Sequence, residues 1–133
     1  MVELHGWLCI RETAADEDMV PPKQGILEKV LEIVENNKCG ITMQIANGER
    51  YLQTLFCANH RTEEVGEIIH IYQRISSMAT GSYGMIYLHD DEDADHFNSF
   101  VVYLFRRGHC GMHIDPYFSP CIPTIEDGEV FSS

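Results

Sequence analysis

The first segment of the chain alternates between apolar and polar positions. Over residues 3–11, one side carries Leu4, Gly6, Leu8 and Ile10, and the other carries His5, Trp7, Cys9 and Arg11. Successive side chains of a strand point to opposite faces, so this period of two predicts a β-strand. Trp7 stands next to a glycine, and two interpretations are open for it: a core residue, or an aromatic side chain exposed at an interface.

The next segment changes to a helical period. After the acidic stretch TAADED, Pro21 and Pro22 mark a place where a helix can begin, because the first amides of a helix need no partner. The apolar stripe that follows consists of Ile26, Leu27, Val30, Leu31 and Val34. It predicts an amphipathic helix that ends near Asn36 and Asn37.

A second helix is predicted from Thr62 to about Met78. Thr62 precedes Glu63 and Glu64, an arrangement that places a capping hydroxyl before carboxylates in the first turn. The apolar stripe of this helix consists of Val65, Ile68, Ile69, Tyr72 and Ile75.

The remaining strands are predicted at residues 40–45, 50–58, 84–89, 99–106 and 109–114. Asn47 and Gly48 separate the first two of these runs, and an Asn-Gly pair in that position is a strong signal for a hairpin. An acidic loop separates the next two. The tail after the last strand contains Pro116, Pro120 and Pro123, so it is expected to be extended, since the residue before a proline is biased away from helix.

The order of these elements is strand, helix, two strands, helix, and two or three strands. It predicts an α+β fold for a single domain over residues 1–133. With two helices for five or six strands, both helices are expected to pack on one face of a mostly antiparallel sheet. The opposite face is then left to solvent or to a partner, and a broad uncovered face is either polar or a binding surface.

Composition supports a folded domain and restricts its partners. The chain has 133 residues, 44% of them hydrophobic, and this length can enclose a core without metals or disulfides. The excess of 21 acids over 9 Lys and Arg gives a formal net charge of −12. Such a surface repels phosphate backbones and anionic headgroups, which argues against direct nucleic-acid or membrane-surface binding. The charge favours a basic partner, or it only keeps a cytosolic protein soluble.

The cysteines indicate a reducing compartment. Cys9, Cys39, Cys57, Cys110 and Cys121 are odd in number, widely spaced and without a CxxC pair. The first segment lacks the apolar run of a signal peptide, and no apolar run approaches the roughly 20 residues that cross a bilayer. A cytoplasmic protein with reduced thiols is expected.

Five acids occupy six positions of the loop after the fourth strand: Asp90, Asp91, Glu92, Asp93 and Asp95. An EF-hand that starts at Asp91 requires a glycine at its sixth position and a glutamate at its twelfth, but His96 and Val102 stand there. A solvated loop is therefore favoured over a calcium site.

The sequence gives little support for a zinc site or for a catalytic site. In GHCGMH, His109 and His113 on one strand face would lie about 13 Å apart, too far for one zinc ion unless the chain turns at Gly111. The sequence contains no Gly-x-Ser-x-Gly elbow, phosphate-binding glycine loop or HExxH motif. We therefore predict no catalytic residues, no metal site and no cofactor.

Several short motifs together resemble one protein family. They are HGW at 5–7, GSYG at 81–84, YLHDDED at 87–93, RRG at 106–108 and DPYFSPCIPTIED at 115–127. In order and spacing, and over nearly the whole chain, this set is similar to the immunity protein 7 family of bacterial polymorphic-toxin systems. The C-terminal block is its most specific part.

The resemblance implies a small cytoplasmic protein that binds a secreted toxin domain encoded near it and blocks that toxin in the producing cell or its kin. It implies a non-enzyme in which the shared motifs maintain the fold, while toxin-contacting positions vary between members, so no contact residue is carried over. Many toxin effectors act on nucleic acids and present basic clefts, which suit an acidic inhibitor. We hypothesise that the toxin-binding surface includes Asp90, Asp91, Glu92, Asp93, Asp95 and Tyr83.

Two other classes are open at this point. A metal-dependent hydrolase could use the acidic loop with nearby histidines, and it would require bound metal and a concave pocket. A structural or adaptor domain could homodimerise through the open sheet face. The free protein is accordingly expected to be a monomer or a homodimer.

Overall fold

A computed structural model describes residues 1–13, 25–37 and 39–126. In chain order, the described elements are β1 (Val2–Ile10), α1 (Ile26–Asn36), β2 (Ile41–Ala46), β3 (Glu49–Ala58), α2 (Glu63–Met78), β4 (Tyr83–Asp90), β5 (Val101–Arg106), β6 (His109–Ile114) and α3 (Cys121–Thr124). The α+β fold and the predicted order of helices and strands are confirmed. The helix start predicted at Pro21 and Pro22 lies outside the described residues.

The six strands form one open antiparallel sheet in the order β2-β3-β1-β4-β5-β6. The first strand of the chain lies inside the sheet, between β3 and β4. Val2 is paired with Ala58 on β3 and with Asp90 on β4. The start of β1 and the ends of β3 and β4 therefore meet at one end of the sheet, which we call the acidic end because the loop after Asp90 begins there.

The hairpin predicted from the Asn-Gly pair is confirmed. Asn47 and Gly48 adopt positive φ angles of 52° and 78° between β2 and β3. Two consecutive residues in the left-handed region make the tight turn whose twist matches that of the flanking strands. Arg107 and Gly108 repeat this geometry between β5 and β6, with φ angles of 50° and 78°.

The core lies between the sheet and the two long helices. Leu4, Leu8 and Ile10 point from β1 toward this layer, as the alternation predicts, and Val65 and Ile68 of α2 are fully buried there. Burial of each such aliphatic side chain contributes about 1.5–3 kcal/mol, so this layer provides most of the stability of the fold.

The packing around Gly6 explains why the HGW motif contains a glycine. A Cβ atom at Gly6 would lie 2.8 Å from the hydroxyl oxygen of Tyr72. The absent side chain leaves space for the Tyr72 ring, whose hydroxyl is 2.7 Å from the hydroxyl of Thr54. Burial raises the pKa of Tyr72 to about 12, although the Thr54 hydrogen bond opposes that shift.

The capping role predicted for Thr62 is wrong. Thr62 directly precedes α2, but its hydroxyl makes no capping hydrogen bond to the helix amides. Its carbonyl oxygen instead accepts from the amide of Val65 at 3.3 Å. The hydroxyl hydrogen-bonds to the carboxylate of Glu64 and lowers the pKa of that group.

The sheet face opposite α1 and α2, called the open face below, is partly covered by the C-terminal segment. The expected extended tail instead folds back, and Phe118 packs against Tyr87 and Phe100 with ring centroids 6.5 and 6.0 Å away. The segment ends in the short helix α3. Among α1, α2 and α3, none is long and apolar enough to cross a membrane.

Candidate interaction surface

The acidic loop between β4 and β5 lies at the acidic end, where α2 also begins. Asp90, at the end of β4, is only 5% exposed. One of its carboxylate oxygens is 3.5 Å from the guanidinium of Arg61, and the other accepts from the backbone amide of Glu92 at 3.0 Å. Asp90 therefore holds the base of the loop against the segment that precedes α2.

The next two acids also have partners within the chain. Asp91 lies 2.6 Å from the amino group of Met1, and this hydrogen bond lowers the pKa of Asp91 and raises that of the amino group. Glu92 lies 2.5 Å from Nδ1 of His60. Both side chains are about half exposed, so these contacts orient the loop and contribute little stability.

The remaining two acids shape the loop itself. Asp93 accepts from the backbone amide of Asp95 at 3.0 Å, a bond that lowers the pKa of Asp93, and it lies 3.4 Å from His96. Asp95 is exposed. Five carboxylates against the two cations Arg61 and the amino terminus leave the loop negatively charged.

Tyr83 lies at the opposite end of β4 from the acidic loop. It begins β4 and Asp90 ends it, so the two residues are about 23 Å apart at the usual rise of a strand. Tyr83 instead meets Trp7 edge to face, with ring centroids 6.0 Å apart, and the guanidinium of Arg11 lies 5.4 Å over its ring. Arg11 is also 3.3 Å from Glu49.

Exposed apolar side chains extend across the open face. Trp7 is 36% exposed and Tyr83 is 39% exposed, which decides between the two interpretations of Trp7 in favour of exposure. Leu55 and Leu104 project from β3 and β5 on the same face and are also exposed. Sequence reasoning did not single out these two leucines, although their period-two positions in the predicted strands would have placed them there.

A groove of about 690 Å³ lies in the open face toward the acidic end. Its lining includes Glu3, His5, Trp7, Gln53, Met85, Tyr87, Phe100, Phe118 and Ile125. Strands β1, β3 and β4 form its floor, and the C-terminal segment forms one wall. The groove was not predicted, because that wall comes from residues expected to be extended.

The C-terminal segment is fixed by hydrogen bonds to β4 and to the loop. Asp115, 2% exposed, accepts from the hydroxyl of Tyr87 at 2.6 Å and from the amide of Phe118 at 2.6 Å. Asn98 holds Ile122 through two bonds, with its side-chain oxygen accepting at 2.8 Å and its side-chain nitrogen donating at 3.2 Å. These contacts join two of the sequence motifs, YLHDDED and DPYFSPCIPTIED, and make the groove wall part of the fold.

The metal sites considered from the sequence are not assembled in the described part of the chain. Within residues 1–13, 25–37 and 39–126, no three His, Cys, Asp or Glu side chains come together in a way that could hold an ion. The strand β6 runs through Gly111 without a turn, so His109 and His113 stay separated along it.

Comparison with known proteins adds one finding. The family model described as immunity protein 7 matches residues 1–127. Neither a search of the curated proteins nor a search of the solved structures finds a match.

Proposed function

This chain belongs to the immunity protein 7 family, whose model covers nearly all of it, and we propose that it binds one cognate secreted toxin domain and neutralises it. The family match is the observation that carries the proposal. The toxin is encoded near the protein, and the protein acts in the cytoplasm of the producing cell or its kin. It works without a cofactor, as a binding protein and not as an enzyme.

The positions of the family motifs support a role of these motifs in the fold, with the exposed surfaces left for toxin binding. Gly6 makes room for Tyr72, Arg107 and Gly108 form a hairpin turn, and Asp115 fixes the C-terminal segment. All of these roles are internal to the fold. The exposed surfaces are left to differ from one family member to the next, as recognition of different toxins requires.

Charge provides the first element of recognition. The net charge of −12 and the acidic end attract a basic surface, and a toxin that acts on nucleic acid presents such a surface in its active-site cleft. In this proposal Asp91, Glu92, Asp93 and Asp95 face the cleft, where phosphates would otherwise bind. Asp90 is buried and orients the loop through Arg61.

The open face provides the second element. A standard interface covers about 800 Å² on each partner, which corresponds to a patch about 32 Å across. One toxin domain can therefore contact both the acidic loop and Tyr83 despite their separation of about 23 Å. Charge accelerates the encounter, and the partly exposed aromatic side chains slow release once they are desolvated.

The alternative of a metal-dependent hydrolase would need the loop carboxylates as ligands. Three of them are already engaged by Arg61, the amino group of Met1 and His60. No observation in the described residues favours the hydrolase over the toxin inhibitor. Self-association through the open face is tested by measuring the mass of the purified protein in solution.

Co-expression tests the proposal. The toxin-bearing gene next to the one for this protein is expressed with and without it, and growth and complex formation are measured. We expect growth only in the presence of this protein, and a complex that survives purification. Continued growth arrest with the protein present at excess, and no complex, would overturn the proposal.

A further inference from the structure

We propose that the groove in the open face receives an arginine or lysine side chain of the toxin domain. This inference rests on the proposed function and specifies the chemistry of one contact. It concerns a contact that does not use the five acids of the loop, at a site built mainly from β1, β3, β4 and the C-terminal segment.

The walls of the groove suit a long side chain with a cationic end. Trp7, Tyr87 and Phe118 present aromatic surface, and Met85 adds a thioether. Aromatic faces attract guanidinium and ammonium groups through the charge distribution of the ring, while the apolar walls cover the aliphatic stem. The C-terminal segment that carries Phe118 is held by the buried Asp115, so this wall is in place before a partner arrives.

Glu3 supplies the counter-charge. Its side chain is 31% exposed, lines the groove, and lies 3.1 Å from Nε2 of His5. No lysine or arginine among the described residues lines the groove, so Glu3 carries its only fixed charge. A partly exposed carboxylate without a lysine or arginine beside it in the described lining disfavours an anionic ligand and favours a cation.

The same face already holds a guanidinium in this way. Arg11 lies over the ring of Tyr83 at 5.4 Å and pairs with Glu49 at 3.3 Å. An aromatic ring together with a glutamate thus binds arginine within the chain. The groove repeats that combination with Tyr87 and Glu3, and no lysine or arginine of the described residues fills it.

The toxin is the expected source of this cation. The groove lies toward the acidic end, so a basic partner attracted to the acidic loop brings its cationic side chains beside the groove. A second copy of this chain, with its net charge of −12, is repelled at the same place.

The first test titrates the full-length protein with N-acetylarginine amide and, separately, with N-acetylcitrulline amide, which has nearly the same shape without the charge. The indole N–H signal of Trp7, the single tryptophan of the chain, reports occupation of the groove by NMR. We expect saturable binding of the arginine compound, at least about fivefold tighter than that of the citrulline compound. Equal binding of the two compounds would overturn the inference.

Two variants with the same change of charge locate the contact. Glu3→Gln should abolish the preference for arginine. Glu35→Gln, an exposed position of α1 on the other side of the sheet, should leave it intact. In the complex with the toxin domain, Glu3→Gln should weaken affinity about tenfold, mostly through faster dissociation, while Glu35→Gln stays near the wild-type value.

The outcomes separate the two proposals. If the wild-type complex forms and protects growth but Glu3→Gln binds as tightly as wild type, the groove contact is wrong and the immunity function stands. If the wild-type protein neither binds the toxin domain nor protects growth, the function is wrong and the groove contact falls with it. Self-association that N-acetylarginine amide reverses would make a second copy the occupant and would also overturn the inference.

Discussion

The hydroxyl of Tyr87 donates a 2.6 Å hydrogen bond to Oδ1 of Asp115, 28 residues further along the chain. This bond joins the central strand β4 to the C-terminal segment. The other carboxylate oxygen of Asp115 accepts from the amides of Phe118 and Tyr117 at 2.6 and 3.2 Å. One buried carboxylate therefore holds the wall of the groove against the sheet.

Loss of this bond should destabilise the protein measurably. Tyr87→Phe keeps the ring and removes the donor, which leaves a buried carboxylate with one partner fewer. A hydrogen bond to a charged group contributes about 1.5–3 kcal/mol, so we expect the free energy of unfolding to fall by about that amount at pH 7. Chemical denaturation measures it.

Tyr117→Phe is the matched control, because the Tyr117 side chain is 79% exposed. The same change of residue type there should alter the free energy of unfolding by less than about 0.5 kcal/mol. Equal losses in the two variants would show that the Tyr87–Asp115 bond has no special role.

The contribution of the Tyr87–Asp115 hydrogen bond to the free energy of unfolding should decrease at both low and high pH. Burial opposes ionisation of Asp115, but the hydrogen bonds from Tyr87, Phe118 and Tyr117 outweigh it and hold the pKa below the ordinary 3.8. The stabilisation is therefore present above pH 3.8 and is lost as pH falls through the lowered pKa. The bond to Asp115 also raises the pKa of Tyr87 from 10.0 to about 12, so the stabilisation is complete below pH 10 and is lost as pH rises through about 12.

The difference in unfolding free energy between wild type and Tyr87→Phe isolates this effect from other titrating groups. We expect a plateau from about pH 5 to 9, with a decrease on each side. A difference that stays constant down to about pH 2 would contradict the assignment of Asp115 as the acceptor.

Strands β1 and β4 approach each other closely at Gly84. A Cβ atom at Gly84 would lie 2.1 Å from the carbonyl oxygen of Trp7 and 2.7 Å from Cα of Leu8. Both contacts are with backbone, so they cannot be relieved by rotation of a side chain. Gly84→Ala should destabilise the fold by more than about 3 kcal/mol or prevent folding, as thermal unfolding and expression yield will show.

The same substitution at Gly66 should have the opposite effect on stability. Gly66 is exposed on α2, and a Cβ atom there would meet nothing within 4 Å. Alanine should stabilise the helix by about 0.5–1 kcal/mol. If both variants were destabilised equally, the backbone clash at Gly84 would not explain the glycine in GSYG.

Local signals were sufficient to predict most of the fold. The stripes of α1 and α2 and the turn at Asn47 and Gly48 depend on residues near each other in sequence, and the structure confirms them. The strand order and the folded-back C-terminal segment depend on long-range contacts such as the one between Tyr87 and Asp115. A single sequence does not reveal those contacts, and the prolines of the segment predicted only an extended chain.

The candidate site was predicted less completely for the same reason. The acids of the loop were visible as a cluster, but Arg61 and His60, which lie about 30 positions earlier, were not foreseen as their partners. Tyr83, an aromatic residue beside a glycine, is predicted to share one toxin-binding surface with the acids. A strand of eight residues separates it from them in space.

The acidic loop should control the rate of association with the toxin domain. Replacing the three exposed acids, Asp91→Asn, Glu92→Gln and Asp95→Asn, should lower the association rate constant about three- to tenfold at low ionic strength and reduce its salt dependence. Stopped-flow kinetics against a catalytically inactive toxin domain measures both.

The matched control neutralises three exposed acids of α1, Glu28, Glu32 and Glu35, with the same change in net charge. This triple variant should associate at close to the wild-type rate. Equal slowing by the two triple variants would attribute the effect to net charge alone, and unchanged rates in both would remove the loop from the interface.

The most direct test of toxin neutralisation is a titration of toxin activity. A fixed concentration of the active toxin domain, well above the dissociation constant, is mixed with increasing amounts of this protein, and the remaining activity is measured. A binding inhibitor should reduce the activity linearly to zero at an equimolar ratio. Full toxin activity in the presence of excess protein, or time-dependent loss of activity at a small fraction of an equivalent, would contradict neutralisation by binding.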